Sequence, residues 1–166
     1  MAAGAIVRPY VAGDEAWAVA ILGPIGGRVQ ARRAELIDVL APGTGFVAER
    51  HGRPAGLLTY RLEPEAVELT AIVAQPRTAG TGSALLSALW AAAVADGRWR
   101  IWVVTTNDNL DALRFYQRRG FTIVAIRPGA VDRARAELKP GIGRTGNHGI
   151  PIRDEIELVL EHDPAS

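Results

Sequence analysis

The chain of 166 residues contains no cysteine. That excludes disulfides, thiolate-ligated zinc and a cysteine nucleophile. Lysine occurs once, at Lys139, so arginine supplies nearly all of the positive charge. Neither sign of charge is in excess, the formal net charge being +1. A dedicated polyanion binder usually shows a strongly basic face, so no nucleic acid partner is expected. Long apolar runs are also missing. The longest candidate stretch, Ala84 to Ala95 with Ser87 inside it, makes about three turns of helix, well short of the roughly 20 residues a bilayer needs. The opening M-A-A-G-A-I-V-R-P-Y has no basic stretch followed by a sustained apolar one, so no signal peptide is expected. These absences predict a cytoplasmic protein with no membrane partner. Three scattered histidines, His51, His148 and His162, offer no metal constellation.

What is present reads as one globular domain over residues 1–166, with 48% apolar and 22% charged residues. Ala5 to Tyr10 reads as a short strand, and Asp14 as the N-cap of a helix through Leu22. Gly23-Pro24 and Gly26-Gly27 break that pattern. A second helix is predicted from about Val29 to Leu40, ended by Pro42-Gly43. Gly45 to Arg50 and Pro54 to Leu62, separated by H-G-R, form a hairpin signal, and Ala66 to Ala74 a buried strand. Leu85, Leu86, Leu89, Trp90 and Ala93 then recur at helical spacing.

Arg100 to Thr106 is a further buried strand, followed by a helix capped by Asp108 or Asn109 and ended at Gly120. Phe121 to Arg127 is a strand, Gly129 to Leu138 is helix-like, and Pro140 to Pro151 is a polar, glycine-rich loop. Glu155 to Leu160 alternates as a last strand. The order β-α-α-β-β-β-α-β-α-β-α-β predicts a mixed α/β fold around one sheet.

The chemistry-bearing segment is Q-P-R-T-A-G-T-G-S-A-L-L, residues 75 to 86, which joins an apolar strand to a helix start. Backbone N–H groups at such a junction make a site for a pyrophosphate. Arg77 adds a fixed positive charge beside it. Glycines there also serve any tight strand-to-helix connection. A dinucleotide-binding unit, and with it an NAD(P)-dependent oxidoreductase, competes for this loop. Against it, Leu85 stands where the third glycine belongs, and Asp108 lies beyond the usual ~20 residues. A Walker loop fails for lack of G-K-[ST], and Ser83 does not sit in G-x-S-x-G.

A second block, N-L-D-A-L-R-F-Y-Q-R-R-G-F, runs from Asn109 to Phe121. R-T-A-G-T-G resembles the R/Q-x-x-G-x-G/A signature of the GNAT family of N-acetyltransferases, and the second block resembles the family's N-x-x-A-x-x-F-Y-x-x-x-G-F. The resemblance spans about residues 5 to 162. It implies the GNAT acyl-CoA N-acyltransferase fold, with a helix and loop (Gly129 to Pro151) inserted before the last strand. It also implies acetyl-CoA as cosubstrate with no metal, and direct transfer to a primary amine of a small molecule or peptide. A non-catalytic acyl-CoA-binding module remains the alternative. Dimerisation is common in the family, and no exposed stripe in the sequence decides whether this chain forms a homodimer.

By the same resemblance, backbone groups of Ala71, Ile72 and Val73 pair with the pantetheine arm. Amides of Arg77, Thr78, Ala79, Gly80, Thr81, Gly82 and Ser83 hold the pyrophosphate, and Asn109 contacts the arm from the other side. Tyr116 matches the residue that protonates the departing thiolate, and Glu68 a strand position that often carries the general base. Glu68 otherwise faces solvent on an alternate pleat, and Tyr116 otherwise packs as an ordinary helix residue. Arg114, Arg118 and Arg119 read as a solvated helix face. Asn147-His148 and Arg153-Asp154-Glu155 fall where the family places part of the acceptor pocket, and a surface loop is the simpler reading of them. Trp102 reads as core. Pro24 to Gly27 and Gly141 to Ile150 are the segments expected to shape acceptor choice.

Overall fold

A computed structural model describes residues 4–77 and 80–163. In chain order the elements are β1 (Ile6–Pro9), α1 (Glu15–Leu22), β2 (Val29–Arg32), β3 (Glu35–Asp38), β4 (Gly45–Arg50), β5 (Arg53–Leu62) and β6 (Val67–Ala74). There follow α2 (Thr81–Ala95), β7 (Arg100–Thr106), α3 (Leu110–Gln117), β8 (Thr122–Arg127), α4 (Ala130–Glu137) and β9 (Glu155–Glu161). This is a mixed α/β fold whose described strand pairings are antiparallel. Among the described residues no helix is long and apolar enough to cross a membrane. The chain divides into two compact units, Met1–Arg28 with Asp38–Ile101, and Val29–Ile37 with Trp102–Ser166.

In the first unit the strands lie in the order β1-β4-β5-β6. The β4–β5 turn is His51-Gly52, both with positive φ (51° and 72°), the backbone that matches the twist of a tight hairpin. Val47, Leu57, Leu58, Val67 and Leu69 from the strands are buried with Leu85 and Leu89 of α2. One residue lets the helix start where it does. A Cβ on Gly56 of β5 would lie 2.6 Å from Cγ2 of Thr81 and 3.0 Å from Cδ1 of Leu85. Its absence seats the first turn of α2 directly on the strand.

Asp14 stands at the cap position of α1, yet its side chain makes no capping bond. Its carboxylate instead accepts both terminal nitrogens of Arg8 (2.9 Å each) and the N–H of Val11 (2.9 Å).

The second unit contains β7-β9-β8, with β8 antiparallel to β9. It also contains the first departure from the sequence reading. The helix expected from Val29 to Leu40 is a two-stranded hairpin, β2 and β3, forming a sheet of its own. Arg, Ala, Glu and Leu favour a helix locally, but propensity is a weak prior that tertiary contacts override. Here the N–H of Arg33 donates to Glu155, its guanidinium lies over Trp102, and Nζ of Lys139 donates to the carbonyl of Val29 (2.6 Å).

Candidate active site

The N-terminus of α2 has the features of an anion-accepting helix start. Its N-cap is Gly80 (φ 74°, ψ 1°), which supplies no side-chain acceptor, and no acidic residue occupies the first turn. The left-handed backbone is why glycine stands there, since a Cβ would meet nothing within 4 Å. The first intrahelical bond runs from the N–H of Ala84 to the carbonyl of Gly80 (3.1 Å). Thr81 is fully buried, and its Oγ1 has no hydrogen-bond partner among the described residues. Gly82 and Ser83 are half-buried, and Arg77 is exposed. Thr78 and Ala79 lie outside the described residues. Aligned, uncapped amides at a 15-residue helix start carry a partial positive charge. Phosphate oxygens fit that environment.

The strand leading to this loop is irregular where it matters. Ala71, Ile72 and Val73 lie opposite Thr59, Leu58 and Leu57, whereas Leu69 lies opposite Tyr60. Thr70 therefore has no opposite residue, which is a β-bulge. Its Oγ1 is 2.7 Å from that of Thr59, and both side chains are buried. The bulge shifts the register by one residue at Thr70, after which Ala71 to Val73 pair regularly with β5.

Glu68, two residues before the bulge, is only 1% exposed. The solvent-facing alternative for this carboxylate is thereby set aside. Its Oε2 lies 2.5 Å from Nη2 of Arg61, the residue opposite it on β5. Burial disfavours the ionised form, and the facing guanidinium favours it.

The second unit holds the other block. Asn109 caps α3, its Oδ1 accepting the N–H of Ala112 (3.2 Å), while its Nδ2 donates to Oγ1 of Thr105 (3.2 Å). Tyr116 is buried, edge-on to Phe115 (centroids 5.2–5.4 Å for its two aromatic neighbours) and tilted against Phe121. Burial pushes its phenol well above the ordinary value, with the charge of Arg32 opposing in part. This phenol holds its proton at neutral pH, as a general acid must. Arg114 is exposed and pairs with Asp111 (3.7 Å), as on a solvated helix face, whereas Arg119 is half-buried and lies 3.7 Å over the ring of Phe115.

The turn between β7 and α3 does more than the sequence indicated. Asp108, considered only as a cap or a ribose acid, is buried. Its carboxylate accepts Oγ1 of Thr106 (2.5 Å) and both the backbone N–H and Nδ2 of Asn147 (2.9 and 3.2 Å). A Cβ on Gly146 would collide with it at 2.1 Å, which explains that glycine. The Oδ1 of neighbouring Asn107 accepts the N–H groups of Arg153 and Asp154 (3.0 Å each), and its Nδ2 donates to the carbonyl of Pro151 (2.9 Å).

The 146–154 segment is thus pinned to the turn that starts α3. Asn147 and Asp154 are used in that pinning, and Asp154 also accepts the N–H of Gly129 (2.8 Å). Glu155 is buried against Arg127 (3.1 Å). His148 is exposed with φ 59°. Trp102 is buried, as expected. The one sequence signal that could have exposed this hub is the run of three polar residues, Asn107 to Asn109, directly after a buried strand.

Comparison with known proteins places the chain. Residues 22–121 match the model of the acetyltransferase (GNAT) family. The uncharacterized Bacillus subtilis protein YdhI is 39% identical over 113 residues, which is 68% of this chain and 70% of that protein. Among solved structures, the IAA acetyltransferase of Bacillus cereus superposes with a TM-score of 0.75 at 21% identity, covering 96% of this chain and all (100%) of that one. A Bacillus subtilis acetyltransferase solved in complex with CoA gives a TM-score of 0.73 at 20% identity, over 96% and 99% of the two chains. The chain belongs to the GNAT acetyltransferase family.

Proposed function

We propose that this protein is an acetyl-CoA-dependent N-acetyltransferase that passes the acetyl group directly to a primary amine of a small molecule or peptide. Membership of the acetyltransferase family supports the reaction, and a structural relative was solved with CoA. The observation that carries the reading is the glycine-capped, acid-free start of α2, with the hydroxyl of buried Thr81 in its first turn lacking a partner among the described residues.

When bound, acetyl-CoA supplies the thioester carbonyl that an amine attacks. Amides from Arg77 to Ser83 hold the diphosphate, with Thr78 and Ala79 as members of the set. Main-chain groups of Ala71, Ile72 and Val73, just past the bulge at Thr70, align the pantetheine arm, and an N–H near Ile72 or Val73 stabilises negative charge on the carbonyl oxygen. Asn109 borders the arm from the start of α3.

An alkylammonium with a pKa near 10.4 is a free amine in only about one molecule in 10³ at pH 7. Glu68 therefore takes the ammonium proton, directly or through a water. Tyr116, kept protonated by its burial, donates from Oη to the departing sulfur. No covalent intermediate on the protein is required, which suits a chain without cysteine.

The test is thiol release from acetyl-CoA across a panel of amines, with Glu68→Gln and Tyr116→Phe alongside the parent. Turnover with a competent amine that falls in both variants supports the assignments. Turnover that neither variant alters overturns them.

A further inference from the structure

The turn between β2 and β3 is made of residues that ordinarily avoid its geometry. Arg33 (φ 49°) and Ala34 (φ 64°) both take the left-handed backbone, where a two-residue hairpin turn favours Asn-Gly or Asp-Gly. Such a conformation has a conformational cost and persists only where its surroundings hold it. The holding groups are specific. The N–H of Arg33 donates to both oxygens of Glu155 (3.1 and 3.3 Å). Its guanidinium carbon lies 4.7 Å from the ring centroid of Trp102.

Stacking occupies the flat face of a guanidinium and leaves its edge of N–H donors pointing outward in the plane. Arg33 is exposed, and among the described residues no carboxylate pairs with its guanidinium. Glu155, the acid bonded to its backbone, is engaged by Nε of Arg127 (3.1 Å). The cation is therefore oriented by a buried indole and a fixed turn, with its hydrogen-bonding edge open. The hairpin is tied to the turn that starts α3, because Arg33 binds Glu155 while the preceding Asp154 donates its N–H to Oδ1 of Asn107 (3.0 Å); the charge of Arg32 also acts on the phenol of Tyr116 on that helix.

We infer that Arg33, presented on Trp102, determines acceptor specificity by binding a carboxylate of the amine substrate through its N–H fork. The acceptor class is then a small amino carboxylate, an amino acid or a close relative, rather than a neutral amine or a polyamine. This inference rests on the acetyltransferase reading above and narrows it. A planar fork suits a carboxylate in two-point contact, which a lysine at the same place would match only as a point charge.

The experiment compares kcat/KM for amino acids with that for the corresponding amino amides, in the parent, Arg33→Gln and Arg33→Lys. Hydrogen bonds to charged groups of this kind predict a loss of about tenfold or more for the acids in Arg33→Gln. The loss should appear in KM rather than kcat, with the amides unchanged. Arg33→Lys should recover part of the preference. It also serves as the second variant should Arg33→Gln fail the circular-dichroism check of folding, and a selective loss for acids in it alone would support the inference. An equal change for acids and amides, or no change, overturns it while leaving the acetyltransferase reading intact. If the parent acetylates neither series nor any other amine, the acetyltransferase reading falls, and this inference with it.

Discussion

Gly56→Ala tests whether the seat of α2 sets the anion site. The added methyl would lie 2.6 Å from Cγ2 of Thr81, 3.0 Å from Cδ1 of Leu85 and 3.3 Å from the carbonyl oxygen of Val73. The first and third contacts are with a fully buried side chain and with backbone, so relief must come from moving the start of α2. Overpacking of this sort costs about 1–3 kcal/mol. In a chain of this size each kcal/mol lowers Tm by about 2–4 °C, so a fall of about 2–12 °C is expected by thermal circular dichroism. Because Thr81 opens the helix, calorimetric titration should also show weaker CoA binding. Thr81→Ser deletes the nearest clashing atom, so the double variant should regain part of both losses beyond additivity. A Gly56→Ala protein with unchanged Tm and unchanged CoA affinity would refute the reasoning.

Other outcomes follow from the same geometry. Glu68→Gln should lower kcat/KM by about 10²–10⁴ with CoA affinity retained, measured by thiol release and calorimetry. Tyr116→Phe should lower kcat without altering CoA binding. Because burial raises the phenol's pKa, deprotonation of Tyr116 should cause no loss of kcat in the parent between roughly pH 7 and 10. Asp108→Ala removes the buried carboxylate that accepts from Thr106 and Asn147, and hydrogen bonds to a charged group are worth about 1.5–3 kcal/mol. It should speed amide exchange across 146–152, read by hydrogen-exchange mass spectrometry. The carboxyl of Asp14 is held below the usual range chiefly by its hydrogen bonds to Arg8. A depressed folded-state value gives stability that is present above the unfolded pKa of about 3.9 and is lost as pH falls through the folded value. Asp14→Asn should therefore flatten the fall of Tm below about pH 4.

Strands whose own residues decide the matter were legible in the sequence. The hairpin of β4 and β5 was marked by His51-Gly52 between apolar runs, and β7 was recovered over Arg100 to Thr106. Leu85, Leu86, Leu89 and Ala93 gave α2, and they are its buried stripe. Residues 29–40 were not legible, because distant groups hold them. Nothing near Arg33 in sequence signals that Glu155 will accept its N–H or that Trp102 will lie beneath it.

The candidate site divides in the same way. Gly80 before α2 could be read from the glycine loop, and Asn109 at the head of α3 from capping chemistry. The burial of Glu68 against Arg61, and the grip of Asp108 on Asn147, depend on register and on a loop 39 residues away. Local pattern carries neither.

The central claim is most directly tested by incubating the purified protein with acetyl-CoA and a panel of amino acids, amino amides, polyamines and peptides. Thiol release and product mass are followed together. The account predicts thiol release matched one to one by a singly acetylated amine, with amino carboxylates preferred. Absence of any acetylated amine at saturating acetyl-CoA would contradict it.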